Sequence, residues 1–383
     1  MRLLQLRVSF QYPPRPVFPN CQGPEPGKEG TGVSVESSPI ELRSSPHFRG
    51  VATVDRIMLD VVYALCPIAL FAAFQFGLSA VCLIATCTAV CVLTEHVICR
   101  ASGRPTSVGD YSAVITGMLL ALTLPPGFPL WMAAVGSVVC IALGKALFGG
   151  IGFNVFNPAL VGRAFVQAAF PVAITTWTPA VTERFTQFIP SSLALPFMTP
   201  APVADWVARM SVDGFTGATP LALQKFDHIT TDVTTLFMGM TSGSAGETSA
   251  VLILACGVYL VFRNVVNWRI PASMLLSAFI TSGLFYLADS EVYPNPFFTL
   301  FAGGLMLGAV FMATDMVASP VTALGIWIYA GLMGFLTVII RLKGGLPEGV
   351  MYAILLGNAV SPIIDNLTQP RIFGARKRKQ PKS

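Results

Sequence analysis

The chain has 383 residues, 54% of them hydrophobic and only 11% charged, with a mean hydropathy of +0.68 and a formal net charge of +5. Soluble domains carry about 25% charged residues, so this composition excludes an ordinary water-soluble enzyme or nucleic-acid-binding module and points to a membrane protein. Three scattered histidines (His47, His96, His228) and eight cysteines without a CxxC pair argue against a metal or iron–sulfur centre held by this chain alone.

Residues 1–55 are rich in Pro, Gly and Ser, with no helical period and no apolar run of the signal-peptide kind. Such a segment cannot bury enough apolar surface to fold, and the expectation is a disordered cytoplasmic tail. Ten apolar segments follow, at about 57–76, 78–98, 111–124, 130–148, 163–178, 249–262, 271–288, 297–314, 321–340 and 347–366. Runs of roughly 17–25 apolar residues can cross a bilayer, although several of these are short or broken by Gly and Pro.

Basic residues set the expected orientation. Arg43, Arg49 and Arg56 precede the first segment, and Arg376, Lys377, Arg378 and Lys379 follow the last. Both termini are therefore expected on the cytoplasmic side, with an even number of spans. The stretch 179–248 has three basic residues (Arg184, Arg209, Lys225) against six acidic ones (Glu183, Asp205, Asp213, Asp227, Asp232, Glu247), which places it outside. Arg341 and Lys343 break the rule, being basic in a loop assigned to the outside.

The fold class expected is an all-α polytopic membrane protein of about ten helices. Residues 56–178 form one five-helix repeat, 179–248 an extracytoplasmic loop, 249–366 a second repeat and 367–383 a basic cytoplasmic tail. The two halves echo each other: "TGMLLALTLPPGFPLW" leads to "GKALFGGIGFNVFNPALVG", and "GGLMLGAVFMATDMVASPVTALGIW" leads to "RLKGGLPEGVMYAILLGNAVSP". Opposite entry into the membrane makes this an inverted repeat, whose broken helices meet near the midplane and line a ligand site.

Ionisable residues in apolar surroundings include Glu95, Lys145, Asp315, Glu348 and Asp365. A charge there is costly and is a functional candidate by default. Asp315 sits at an expected helix break, where it lines an ion path or simply caps a helix. Lys145 and Glu348 lie near segment ends, where snorkelling to the interface explains them equally well.

The polar decapeptide "DGFTGATPLA", Asp213 to Ala222, stands apart. Gly and Thr-Pro are ordinary turn residues, so an external loop is the plain reading. The pattern also resembles the flavinylation motif, [ST]-G-A-T after an acidic residue. That resemblance implies FMN carried as a phosphoester on Thr219 by an external flavin transferase. Thr216 is then the permissive position, Gly217 keeps the backbone small and pliant, and Asp213 orders the loop or binds the transferase's metal.

Along nearly the whole chain after residue 50, "GDYSAVITGMLLALTLPP", "FGGIGFNVFNPALVGRAF", "GSAGETS", "NWRIPASML", "FMATDMVASP" and "PEGVMYAILLGNAVSPIID" resemble the D subunit of the Rnf electron-transport complex. They resemble its paralogue, the B subunit of the sodium-pumping NADH:quinone oxidoreductase, somewhat less closely. The ~50-residue N-terminal tail departs from the Rnf pattern.

The resemblance implies a bacterial inner-membrane subunit that carries electrons between ferredoxin and NAD. It would do so through covalent FMN and a second flavin, riboflavin, coupled to Na+ or H+ transport, beside the A, B, C, E and G subunits. "NVFNPA" corresponds to a riboflavin-contacting segment, which makes Asn154 and Asn157 binding candidates. Helix capping by Asn157 ahead of Pro158 is the alternative. A small-solute channel is the competing function, and it would have no use for Thr219 in its motif. Membrane lipid is an expected partner; nucleic acid is not.

Overall fold

The computed structural model describes residues 53–178, 185, 188–196, 198, 218–239, 241–247 and 249–370. Asp213, Thr216 and Gly217 lie outside the described residues, as do most of the N-terminal tail and the basic C-terminal run. Among the described residues the secondary structure is entirely helical.

The first group of helices comprises α1 (Val54–Phe76), α2 (Leu78–Ala101), α3 (Ser112–Thr123), α4 (Leu130–Ile141) and α5 (Pro158–Ala169). The second comprises α6 (Ala250–Phe262), α7 (Arg269–Ala288), α8 (Pro296–Phe301), α9 (Leu305–Leu307), α10 (Ala323–Lys343) and α11 (Val350–Thr368). Helices α1, α2, α7, α10 and α11 are long and apolar enough to cross a membrane, whereas α3, α4 and α6 are shorter apolar helices. Ten apolar segments thus correspond to five full-length candidate spans and a set of short or interrupted helices.

Local chemistry explains the boundaries. Thr53, Ser249 and Thr322 accept hydrogen bonds from the amides of Arg56, Leu252 and Gly325 and so start α1, α6 and α10. Asn157 and Asn295 do the same for α5 and α8, each with Pro at the first helical position, where a missing N–H costs nothing. This cap moves the fifth helix to Pro158, five residues ahead of the expected 163, and it ends at Ala169 before Pro171. The expected 297–314 segment is likewise two pieces. Helix α8 ends at Phe301, and the chain turns at Gly303, whose φ of 66° suits a residue without a Cβ. It resumes as α9 and one π-helical turn, Gly308–Met312. A matching π turn, Ala142–Ala146, extends α4.

Lipid is as apolar as leucine, so helices here associate through close packing and interhelical hydrogen bonds. A Cβ on Gly117 of α3 would stand 2.6 Å from Thr88 Cα on α2, so glycine is what lets these two backbones touch. Between α7 and α10, Ser273 and Ser277 hydroxyls donate to the Trp327 and Gly331 carbonyls at 2.8 and 2.7 Å. Large residues such as Leu70, Phe262, Leu287 and Leu367 face outward, at 70–83% exposure, as lipid-facing side chains do.

The packing pattern of the first group recurs in the second. Helix α2 packs on α4 and α4 on α5; α7 packs on α10 and α10 on α11. Across the two groups, α1 meets α6 and α5 meets α11. The main core joins α1, α3, α5, α6, α7, α9, α10 and α11, while a second core around Cys87, Cys91 and Cys140 joins α2, α3, α4 and α5.

Candidate functional site

Asn154 and Asn157, together with Asp315 more than 150 residues further along the chain, line one cavity of about 140 Å³. Its other walls are largely apolar, including Leu119, Leu260, Val266 and Val310. Asn157 Oδ1 accepts from Ala159 N at 3.0 Å, which caps α5, and its Nδ2 donates to Met312 O at 3.2 Å. Asn154 Nδ2 donates to Asp315 Oδ2 at 3.0 Å and to Phe156 O at 3.3 Å. Its Oδ1 has no hydrogen-bond partner among the described residues. Asp315 Oδ1 accepts from Val317 N at 3.1 Å, so the carboxylate both closes its own turn and faces the cavity.

Lys145, at the π turn after α4, lines the same cavity. Sequence position allowed it to snorkel outward, but it is 5% exposed and turned inward. Its Nζ donates to Glu95 Oε1 at 2.6 Å and to Ser112 Oγ. Ser107 Oγ donates to the same Glu95 oxygen, and Glu95 Oε2 is buried with no partner among the described residues. Asp110 Oδ1 accepts from the Ser112 amide at 2.9 Å, which holds the start of α3 beside the lysine. Burying a charge is tolerated only when it is paired, and here the pairing comes from residues 50 and 33 positions away.

Thr219 lies elsewhere, on the turn Pro220–Ala222, which it caps by accepting from Ala222 N at 3.3 Å. The expected accessible hydroxyl belongs to a residue only 8% exposed. The capping role uses the oxygen as an acceptor, so replacing its hydrogen by a phosphoryl group leaves that lone-pair function in place. Thr219 borders a cavity of about 20 Å³ with Trp177, Ser242, Ser244, Glu247, Gly303 and Glu348. That volume suits one water, so an FMN on Thr219 would lie outside it.

The turn itself is anchored. Ser242 Oγ donates to Ala218 O at 3.2 Å, and Lys225 Nζ donates to the carbonyls of Arg341 and Leu346, both at 2.8 Å, and of Gly344. These are carbonyls at and just beyond the C-terminal end of α10, where an ammonium is favoured. Partial desolvation draws the Lys225 ammonium below the usual lysine range.

At the wall of Thr219's cavity lies an ion-pair network whose pairing no sequence pattern shows. Arg163, 6% exposed on α5, donates to Glu247 Oε1 at 2.8 Å and to Glu348 Oε2. Arg341 on α10 donates to the Thr299 and Ala302 carbonyls at 2.7 and 3.0 Å, closing the end of α8. Glu348 is therefore paired inward with Arg163 and does not snorkel. Glu247 belongs to "GSAGETS" and Arg163 to "NPALVGRAF", so the motifs were visible while their pairing was not.

The sequence profile of the NQR2, RnfD, RnfE family matches residues 41–374. The chain is 41% identical over 345 residues to the D subunit of the Na+-translocating ferredoxin:NAD+ oxidoreductase complex of Acetobacterium woodii, covering 89% of this chain and 97% of that one. It is 38% identical over 355 residues to the D subunit of the proton-translocating ferredoxin:NAD+ oxidoreductase complex of Clostridium ljungdahlii, covering 90% and 99%. It is 37% identical over 355 residues to the D subunit of the ion-translocating oxidoreductase complex of Stutzerimonas stutzeri, covering 86% and 95%.

Proposed function

The chain belongs to the NQR2, RnfD, RnfE family, and from that premise we propose that it is the D subunit of an ion-translocating ferredoxin:NAD+ oxidoreductase complex. In this reading it is a bacterial inner-membrane subunit that works beside the other Rnf subunits, and it carries two flavins. One is FMN, esterified to Thr219 by a flavin transferase; the other is riboflavin, held without a covalent bond beside Asn154 and Asn157. Residues 179–248 then face the outside and both termini the cytoplasm. The recurrence of α2 on α4 and α4 on α5 as α7 on α10 and α10 on α11 supports two five-helix repeats. The charge distribution favours opposed orientation of the repeats.

The observation that carries the reading is the position of α5. Its cap, Asn157, borders the larger cavity, and Arg163 on the same helix holds the two glutamates that border Thr219's cavity. Six residues of helix rise about 9 Å, a separation that leaves the two candidate flavin positions near neighbours in one rigid frame.

The residues present suit a flavin in the larger cavity. Asn154 Oδ1 is free to accept from a ring N–H, Lys145 has a third N–H beyond its two bonds, and the apolar lining would pack against the ring and exclude water. A bound flavin supplies the electron-carrying chemistry. The chain's own part is to fix the ring's position and orientation, satisfy its polar edge, and keep Asp315 near it at the junction of the two halves. The paired network of Arg163, Glu247 and Glu348 keeps α5 fixed between the sites.

Denaturing electrophoresis of the purified complex tests this. A band of this subunit's mass that fluoresces under ultraviolet light, with free riboflavin released on denaturation, is the expected result. A dark band together with no released riboflavin sinks the reading and favours a channel-like role.

A further inference from the structure

We propose that Lys145 is the electrostatic positioning residue of the flavin cavity: its buried ammonium, set against Glu95, raises the reduction potential of the flavin bound there. The inference rests on the proposed riboflavin site and adds to it a residue with a stated effect.

Three observations carry it. First, Lys145 lines the cavity that Asn154, Asn157 and Asp315 line, and it is 5% exposed, so water screens its charge little. Second, the ammonium has three N–H donors and uses two, on Glu95 Oε1 at 2.6 Å and on Ser112 Oγ. One donor therefore remains for a ligand. Third, the pair is asymmetric. Glu95 Oε1 accepts from both Lys145 and Ser107, while Glu95 Oε2 is buried without a partner among the described residues. A bidentate closure of the pair would neutralise the ammonium locally; this arrangement leaves it partly available.

A neutral flavin ring that gains one electron gains one negative charge. No bond forms to Lys145 and no proton leaves it; the ammonium stabilises the reduced form by proximity alone. Asp315, on the same cavity, carries a carboxylate held by Asn154 and its own turn, and it acts in the opposite sense. The cavity is thus lined by one ammonium and one carboxylate, with Glu95 paired behind the lysine, and removing the lysine leaves both acidic groups unopposed.

The test is a spectroscopic redox titration of the riboflavin signal in the purified complex, with riboflavin content measured after denaturation. Lys145→Met should shift the reduction equilibrium against the reduced form by about ten-fold or more, about 59 mV downward for one electron. Glu95→Gln keeps an acceptor for Lys145 and should shift the potential upward. Lys145→Arg should restore most of the wild-type value. Opposite shifts from the two partners of one ion pair are what a merely structural role cannot produce.

If Lys145→Met fails to retain riboflavin, the Glu95→Gln and Lys145→Arg proteins decide the matter by the same signs. Riboflavin retained in all variants at an unchanged potential overturns the proposal. Loss of riboflavin in Lys145→Met with no upward shift in Glu95→Gln does so equally. A wild-type complex that releases no riboflavin fails at the earlier step, the assignment of the cavity itself.

Discussion

Asn154 and Asp315 hold each other, amide to carboxylate, at 3.0 Å across 161 positions of sequence. One residue precedes α5 and the other precedes α10, so this hydrogen bond, with the one from Asn157 to Met312 O, ties the two halves together at the wall of the cavity. Its charge-assisted character makes it stronger than a neutral pair of the same length.

The two asparagines should separate in their effects. Asn157→Leu removes the cap of α5, worth about 1 kcal/mol, and leaves Met312 O without its donor. It should lower both the amount of folded subunit and its riboflavin. Asn154→Leu removes the free amide oxygen and the bond to Asp315 while sparing the cap, and should lower riboflavin more than it lowers subunit abundance. Released riboflavin per mole of fluorescent FMN band is the measurement. Unchanged riboflavin in both variants would place the second flavin elsewhere.

Thr219→Ala should abolish covalent flavin on this subunit, while Thr216→Ala should spare most of it. Thr219→Ser keeps an oxygen that can both cap the Pro220–Ala222 turn and accept an ester, so it should retain a fluorescent band. In-gel fluorescence reads all three. A bright Thr219→Ala band ends the assignment.

Arg163 should tolerate no simple replacement. Arg163→Met leaves the buried Glu247 and the partly buried Glu348 without their shared partner, and breaking the buried pair with Glu247 costs about 3–5 kcal/mol. Arg163→Lys should recover only part of it, because one ammonium cannot reproduce a guanidinium fork reaching two carboxylates. Thermal unfolding of the detergent-solubilised complex should rank wild type above Arg163→Lys and Arg163→Lys above Arg163→Met. Equal melting of all three would show that the network is not structural.

The proposed topology rests on the charge distribution and can be read directly. Reporter fusions within 179–248 should register outside, and fusions after 370 should register in the cytoplasm. A cytoplasmic signal near Thr219 would reverse the assignment and remove access for an external transferase.

The sequence made the apolar helices and their caps legible because those signals are local. A Ser, Thr or Asn before an apolar run, or Asn-Pro at 157–158 and 295–296, announces a helix start within a few residues. It also placed Asn154, Asn157 and Asp315 as site candidates, and they line one cavity. What stayed hidden were the long-range pairings. A lysine near the end of an apolar segment looks the same whether it reaches out to water or in to a carboxylate, and Glu95 lies 50 residues from Lys145. Arg341 counts, by sequence, as an exception to the charge rule. It is 4% exposed and bound to the carbonyls of Thr299 and Ala302, so it says nothing about which side of the membrane its loop occupies. Lys343 is exposed and donates to the Tyr293 hydroxyl at 2.9 Å, so it remains the one basic residue of that loop that counts against the rule.

The clamp on the turn after Thr219 has a mechanical consequence. Lys225 grips three carbonyls of another helix end, and Ser242 grips Ala218, so the residues on either side of Thr219 are moored. A cofactor joined there hangs from a fixed post and not from a swinging arm. In the proposed reading, the ester link to FMN would serve as a leash against escape, keeping a soluble nucleotide at high local concentration on the face of the membrane assigned to the outside.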